Sequence, residues 1–291
     1  MIKLSNGHKF EFMAASGSLW FDGGGWFWER PLKLIGLLDP KLFTIVTKSL
    51  TRLPKEGNLK IYKPLGAVRF LNGGVVNAIG LTNPGLDWWC KEIGPKLKNS
   101  PLSIIVSIHS NSAREAGEMA WRLNPYNLQG IELNLSCPNI IHNVEAETER
   151  IVETVRQVKR VSNLPLIAKL SANQDYKKIS KKLEFLVDAI SINSVPWKHI
   201  YPEELSPLHH LGGGGVSGKT AQEYNWKMLK ELAEHTKTPI IGPSVWEYED
   251  IDKIKNLGAK AVSFGSVFLR HPWRPTLYVR RHLKNPNINV R

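Results

Sequence analysis

Short runs of β-branched and aliphatic residues recur along this chain, separated by longer stretches whose apolar residues return at helical spacing. That alternation limits the fold more than any other feature. The runs occupy Phe12–Ser16, Leu42–Thr47, Leu102–Ile108, Gly130–Leu135, Pro165–Leu170, Val187–Asn193, Pro239–Gly242 and Lys260–Gly265. Most are apolar at consecutive positions rather than at every second one, the pattern of strands covered on both faces. Parallel strands cannot be joined by a tight turn; each needs a crossover, usually a helix. The intervening segments can supply it. Glu145–Val161 places Ile151, Val152, Val155 and Val158 on one stripe, Gln222–His235 gathers Trp226, Met228, Leu229 and Leu232, and Glu249–Leu257 reads in the same way. Eight such strands predict an α/β fold of the closed (β/α)8, or TIM-barrel, type. At 291 residues the length suits one barrel, and no linker or repeat divides the chain, so residues 1–291 are expected to form a single domain.

Two regions exceed a minimal barrel. Residues 53 to 76 are rich in Pro, Gly and Asn with short strand-like pieces, which predicts an excursion of hairpins. Residues 196 to 219 hold Pro196, Pro202, Pro207 and four successive glycines at 212 to 215, which predicts a long loop over the barrel mouth. Long ordered loops in compact domains are usually functional.

Composition narrows the function classes. With 42% apolar and 22% charged residues the chain reads as an ordinary globular protein. No segment approaches the roughly 18 to 20 uninterrupted apolar residues of a membrane helix, and Met1–Lys9 has no stretch of signal-peptide length. The expectation is a cytoplasmic protein with no membrane partner. Cys90 and Cys137 are the only cysteines, too few for an iron–sulfur cluster, a structural zinc site or a disulfide framework within this chain. The net charge of +13 raises the question of nucleic acid, but the basic residues are scattered. The densest group is Arg270, Arg274, Arg280 and Arg281, and no run of five or six occurs, which argues against a nucleic-acid partner.

Active sites of such barrels lie at the C-terminal ends of the strands. Here those ends are polar: Thr47-Lys48-Ser49, Asn134 to Asn139 with Cys137 among them, Lys169-Leu170-Ser171, Asn193-Ser194 and Gly265-Ser266. Lysines and amides have no redox chemistry of their own, but they can hold a flat heteroaromatic ring and stabilise charge developing on it. A cysteine among amides can accept or donate a proton. Glycines at the ends of the last two strands let backbone N–H groups approach a phosphate. Together these features suggest a flavin mononucleotide across the barrel mouth, with a small polar substrate stacked on it.

Ile131-Glu132-Leu133-Asn134-Leu135-Ser136-Cys137-Pro138-Asn139 resembles the fourth-strand signature of the dihydroorotate dehydrogenases, and a cysteine in place of a serine resembles their soluble class 1 members. Ala15-Ser16-Gly17, Val46 to Thr51 with Pro54 to Asn58, Asn77 to Gly85, Ala168 to Ser171 and Gly214 to Gly218 are similar to further family motifs, in the same order. The resemblance implies FMN as cofactor and oxidation of dihydroorotate to orotate in pyrimidine biosynthesis. It implies that Cys137 is the base removing the C5 proton. It implies substrate contacts from Lys48, Asn77, Ile79, Gly80, Leu81, Asn134, Asn139, Asn193 and Ser194, with Ile140 to Val144 closing over the substrate. By the same resemblance, flavin contacts come from Ala15, Ser16, Gly17, Lys48, Ser49, Ser107, Asn134 and Lys169. Phosphate contacts come from Gly213, Gly214, Gly242, Ser244, Gly265 and Ser266. Relatives work as homodimers or pass electrons through a separate iron–sulfur flavoprotein subunit; the sequence leaves the electron acceptor open.

Three departures stand out. Gly242-Pro243-Ser244-Val245 follows the seventh strand where the family has paired glycines, and proline lacks an N–H donor. Ser107 stands where the family often has an asparagine; His109 beside it reads as polar filling. Val195-Pro196-Trp197 and the stretch to Gly212 differ from the better-known members. Two other flavin reactions, on dihydropyrimidines or on tRNA dihydrouridine, remain open at this point, as does a flavin-free barrel acting as a binding protein. Trp20, Trp26 and Trp28 fit an interface or the core equally well.

Overall fold

The computed structural model describes residues 1–60, 62–136 and 144–284. All eight expected strands are present, as β3 (Phe12–Ala14), β4 (Thr44–Val46), β7 (Ser103–Ile108), β8 (Gly130–Asn134), β9 (Leu166–Leu170), β10 (Ala189–Ile192), β13 (Ile240–Gly242) and β14 (Ala261–Phe264). They pair in that order, in parallel, and β14 closes on β3 with Val262 opposite Phe12. A short N-terminal hairpin, β1 (Ile2–Lys3) and β2 (Lys9–Phe10), precedes the barrel. Helices stand between the strands: α1 (Arg30–Leu34), α2 (Leu86–Glu92), α3 (Ala113–Leu123), α4 (Val144–Val161), α5 (Tyr176–Lys182), α6 (Trp197–Ile200), α7 (Gln222–His235) and α8 (Asp250–Asn256). After β14 the chain forms α9 (Ser266–Arg270) and α10 (Arg274–Lys284). The predicted stripes are where the spacing puts them: Ile151, Val152, Val155 and Val158 of α4 are buried, as are Met228, Leu229 and Leu232 of α7, with Trp226 half-buried.

The two-residue period of the strands sorts their side chains into two cores. Outward residues such as Ile104, Val106, Ile131, Leu133, Ala168 and Leu170 join the main core beneath the helices. Inward residues Met13, Val46, Ile105, Ile167, Ala189, Ile241 and Ala261 fill the barrel's lower interior, where Ile2, Leu4 and Phe10 of the N-terminal segment plug them. One step further along the strands, the inward positions become polar: Ser107, Glu132, Lys169, Ser191 and Ser263. This change from apolar to polar layer marks the floor of a site.

The excursion predicted over 53 to 76 contains a hairpin of β5 (Val68–Leu71) and β6 (Gly74–Asn77). The stretch 196 to 219 departs from the expected loop. Its end forms β12 (Gly215–Gly218), which pairs antiparallel with β6 and with β11 (Val195–Pro196) to give a four-stranded sheet in the order β11-β12-β6-β5. Val76, Val195, Trp197, Leu208, Val216 and Ala221 form its own small core. Glycine permits this pairing: a Cβ at Gly74 would lie 2.6 Å from the Ser217 carbonyl oxygen. The C-terminal arginines are dispersed among intramolecular contacts. Arg270 stacks 4.9 Å from the Phe70 ring, Arg274 pairs with Glu247, Arg280 with Asp39, and Arg281 lies over Tyr248. Among the described residues no helix is long and apolar enough to cross a membrane.

Candidate functional site

A cavity of about 820 Å³ opens at the C-terminal ends of the barrel strands, within the ordinary range for a cofactor with a small substrate. Its walls collect most of the residues expected from sequence. Ala15, Ser16 and Gly17 follow β3, Lys48 and Ser49 follow β4, and Asn77, Ile79, Gly80 and Leu81 run from β6 into the next loop. Asn134 and Lys169 lie on β8 and β9, Asn193 and Ser194 follow β10, Ser244 follows β13, and Gly265 and Ser266 follow β14. Cys137, Asn139 and the loop from Ile140 to 143 lie outside the described residues.

Four expected residues do not line the cavity, each for a traceable reason. Gly242 faces outward on β13, where an added Cβ would come within 2.0 Å of Ile254 of α8. Gly213 and Gly214 (φ 93° and 85°) turn the chain into β12, and Gly214 packs against the Asn77 carbonyl. The glycine of that segment that does reach the cavity is Gly218, in a left-handed conformation at φ 92°. Ser107 sits one layer beneath, fully buried, taking the Ser49 hydroxyl at 2.8 Å and donating to Glu132 at 3.0 Å.

Glu132 organises the floor. Its side chain is 2% exposed and pairs with the Lys169 ammonium at 2.8 Å, while Ser191 donates to its second oxygen at 3.1 Å. A buried lysine needs such a partner, and Glu132 shares the inward face of β8 with Asn134 two residues on. Sequence reasoning missed it: the two-residue spacing from Asn134 was the signal, but its place in the motif suggested no role. Above it the amides are chained: Ser136 donates to Asn134 Oδ1 at 2.6 Å, Asn193 Nδ2 to Ser136 at 2.6 Å, and Asn134 Nδ2 to Ser49 at 3.2 Å. His109, expected as filling, is a wall residue, and its Nδ1–H donates to the Asn134 carbonyl at 3.0 Å. Each side chain is fixed by its neighbour, which is how a site holds its geometry before a ligand arrives.

Lys48 differs from Lys169. It is 7% exposed, and among the described residues its ammonium meets the Thr82 carbonyl and the face of Phe21 and no carboxylate. Without a carboxylate beside it, burial pushes its pKa down from 10.5 to about 8. Another part of the wall is apolar: Trp26, Trp28, Leu59, Leu65, Val68 and Phe70. Trp26 and Trp28 stack with centroids 4.6 Å apart, and Trp26 Nε1 donates to the Gly17 carbonyl at 3.1 Å. The buried Glu29 carboxylate accepts the Trp26 N–H at 2.7 Å; burial raises its pKa to about 7 against the lowering effect of that bond. These tryptophans form a wall of the site, an answer the sequence left open.

The loop after β13 carries Pro243 and is held by side chains of α7. Ser244 takes the left-handed conformation usual for glycine, at φ 67°. Helix α7 braces it: Gln222 Nε2 donates to the Ser244 carbonyl at 2.9 Å, Trp226 Nε1 to the Pro243 carbonyl at 3.2 Å, and Asn225 Nδ2 to the Ser244 hydroxyl at 2.9 Å. The Asp250 carboxylate accepts the N–H groups of Trp246 and Glu247. The backbone N–H groups of Ser244, Val245, Gly265 and Ser266, all on cavity-lining residues, donate to no acceptor among the described residues. Four free donors at the ends of the last two strands fit a phosphate, and a polar floor facing an aromatic wall fits a flat ring. Among the described residues no group of three or more His, Cys, Asp or Glu could hold a metal ion.

The sequence pattern of the family described as dihydroorotate dehydrogenase matches residues 33–274. The chain is 32% identical over 236 residues to the catalytic subunit of dihydroorotate dehydrogenase B (NAD(+)) from Citrifermentans bemidjiense, covering 78% of this chain and 76% of the relative. The protein of the same name from Caldicellulosiruptor saccharolyticus is 31% identical over 278 residues, covering 93% and 87%. That from Geobacillus kaustophilus is 32% identical over 246 residues, covering 80% and 75%. A match of this extent, on a barrel whose mouth gathers these lysines and amides, makes the chain a member of the dihydroorotate dehydrogenase family.

Proposed function

We propose that this chain is the FMN-binding catalytic subunit of a dihydroorotate dehydrogenase, oxidising dihydroorotate to orotate in pyrimidine biosynthesis as one barrel domain. The observation that carries the reading is the convergence of Lys48, Lys169, Asn77, Asn134 and Asn193 on a cavity with four free N–H donors at one end. Amides match the alternating donors and acceptors of a pyrimidine ring, and each offers both kinds of group. Lys48, charged and without a carboxylate of its own, attracts the substrate carboxylate. Lys169, held by Glu132, faces the edge of the ring system where negative charge develops. Bound FMN supplies the two-electron acceptor for the hydride that leaves C6. Cys137 accepts the proton from C5, as the family resemblance implies, and Asn139 joins the amides around the ring. The Trp26–Trp28 wall keeps water from the ring faces.

Two of the C–H bonds of dihydroorotate break, one giving a proton to the protein and the other a hydride, and a C5–C6 double bond forms. The electrons must then leave, and the relatives named as catalytic subunits support a separate electron-transfer partner. A homodimer of catalytic subunits in the cytoplasm completes the proposal.

The test is anaerobic addition of dihydroorotate to FMN-loaded protein while the visible flavin absorption is recorded. Bleaching that is lost in Cys137→Ala, with FMN still bound, supports the reaction and the base together. Bound FMN that stays oxidised refutes dihydroorotate as substrate and directs the search to other dihydropyrimidines or to RNA. Protein that takes up no FMN refutes the flavoenzyme reading.

A further inference from the structure

Asn225 of α7 is 2% exposed, lines the cavity, and has one terminal atom without a partner among the described residues: Nδ2 donates to the Ser244 hydroxyl, while Oδ1 accepts no hydrogen bond from them. A buried polar atom left bare is costly, and natural structures keep few of them. Rotating the amide by 180° does not remove the problem. The Ser244 hydroxyl then donates to Oδ1, and Nδ2 takes the bare position with its N–H groups unsatisfied. Either way a polar atom of Asn225 awaits a partner that the described residues do not supply.

The surroundings decide what that partner is. Ser244 and Val245 on one side, and Gly265 and Ser266 on another, present N–H groups that donate to nothing among the described residues. Five potential donors around one end of a cavity, with no carboxylate among the residues that carry them, make a place for an anion. An amide beside an anion turns its N–H groups inward, which selects the rotated form with Ser244 donating to Oδ1. Pro243, which lacks an N–H, sits in the same loop, and its carbonyl is occupied by Trp226. Helix α7 thus both braces this loop and brings a side-chain donor to it.

We propose that Asn225 is a specificity-determining residue for a phosphate monoester, its Nδ2 donating to a phosphate oxygen alongside the N–H groups of Ser244 and Val245. The proposal rests on the flavoenzyme reading, in which the monoester is that of FMN, and it assigns to a helix side chain part of a task that a loop with proline cannot complete with its backbone. The amide then discriminates between FMN and riboflavin, which share a ring and ribityl chain and differ in the phosphate alone.

Binding of FMN and of riboflavin to flavin-depleted protein, followed by flavin fluorescence, tests it. Asn225→Ala is expected to weaken FMN by about 10- to 100-fold, the worth of one hydrogen bond to a charged group, and riboflavin by less than about 2-fold. Asn225→Asp, the same size but negatively charged, is expected to weaken FMN further while riboflavin still binds. Retained riboflavin binding shows that the variants fold. Should neither variant fold, Ser244→Ala removes the hydroxyl that orients the amide and is expected to show the same selective loss. Equal effects on both flavins, or no effect on either, overturn the role of Asn225 while leaving the flavoenzyme reading intact. Wild-type protein that binds neither flavin overturns both.

Discussion

Replacing Lys48 by methionine should stabilise the ligand-free protein at neutral pH and remove part of its dependence on pH above 8. Lys48 is 7% exposed, its ammonium meets the Thr82 carbonyl, and it lies 5.7 Å from the centre of the Phe21 ring. In the folded protein burial lowers its pKa to about 8, whereas the unfolded chain holds the proton to 10.5. Between those values the unfolded state binds more protons, so folding stability rises with pH through that window. At about 1.4 kcal/mol per unit of pH, the charged lysine costs the empty fold about 3 kcal/mol at pH 7, and the cost fades by about pH 10.5. Methionine has a similar length and no charge. Urea unfolding of both proteins between pH 6 and 10 should show the variant ahead by about 2 to 3 kcal/mol at pH 7, with the curves converging as pH rises. Parallel curves would refute the argument, because they would mean that the ammonium is solvated in the folded state. The same lysine predicts the opposite trend for an anionic ligand. A bound carboxylate favours the protonated form, so dihydroorotate affinity should fall as pH rises through about 8 in the wild type and lose that trend in Lys48→Met.

Glu132→Ala leaves Lys169 charged and unpaired in the floor of the site, and should destabilise the protein by about 3–5 kcal/mol in chemical denaturation. The double change Glu132→Ala with Lys169→Met should recover much of that loss; strict additivity would show that the pair does not interact. Glu29 titrates with the opposite sign to Lys48. The folded state holds its proton to about pH 7 and the unfolded chain only to 4.5, so stability from this group is present below 4.5 and is lost as pH rises through 7. Glu29→Gln should flatten that slope and the accompanying change in tryptophan emission from Trp26 and Trp28; an unchanged slope would place the titration elsewhere.

The barrel was legible because its strands are buried on both faces. Ile104 to Val106 and Ile131 to Leu133 read as apolar or nearly so, and the chain has few other ways to cover such runs. Their boundaries shift by only a residue or two, since the ladder ends where a polar residue turns toward the cavity, as at Asn134. β12 was hidden because Gly-Val-Ser-Gly has almost no strand propensity of its own; its pairing comes from β6, some 140 residues earlier, through backbone bonds that only glycine allows. The amides and lysines of the site were legible from their place at strand ends. Glu132 was missed because a carboxylate within a run of apolar residues looks like an exposed face until the register sets it beside Lys169 and Ser107. Ser244 in a left-handed conformation was equally hidden, because three side chains of α7, about 20 residues back, hold it there.

The charges in the cavity explain why these features belong together. Of the charged side chains that line it, Lys48, Lys169 and Glu132 are buried and Lys55 is exposed, so the buried set holds two positive charges and one negative. Lys169 and Glu132 neutralise each other across 2.8 Å, which leaves Lys48 as a desolvated cation with, among the described residues, a carbonyl and a ring face beside it. An empty site of this kind is held at a cost to the fold, and the cost is recovered when an anion enters. The N–H groups of Ser244, Val245, Gly265 and Ser266, at the ends of the last two barrel strands, pose the same problem, since no acceptor among the described residues answers them. Two separate deficits of negative charge, divided by a stretch of amides and an aromatic wall, describe a ligand set with a carboxylate at one end, a phosphate at the other, and flat rings between. Dihydroorotate and FMN together have that shape and that charge. The cost of the buried Lys48 charge to the empty fold and the preference for an anion thus have one physical origin, so variants that remove that cost, Lys48→Met first among them, should be those that bind dihydroorotate least.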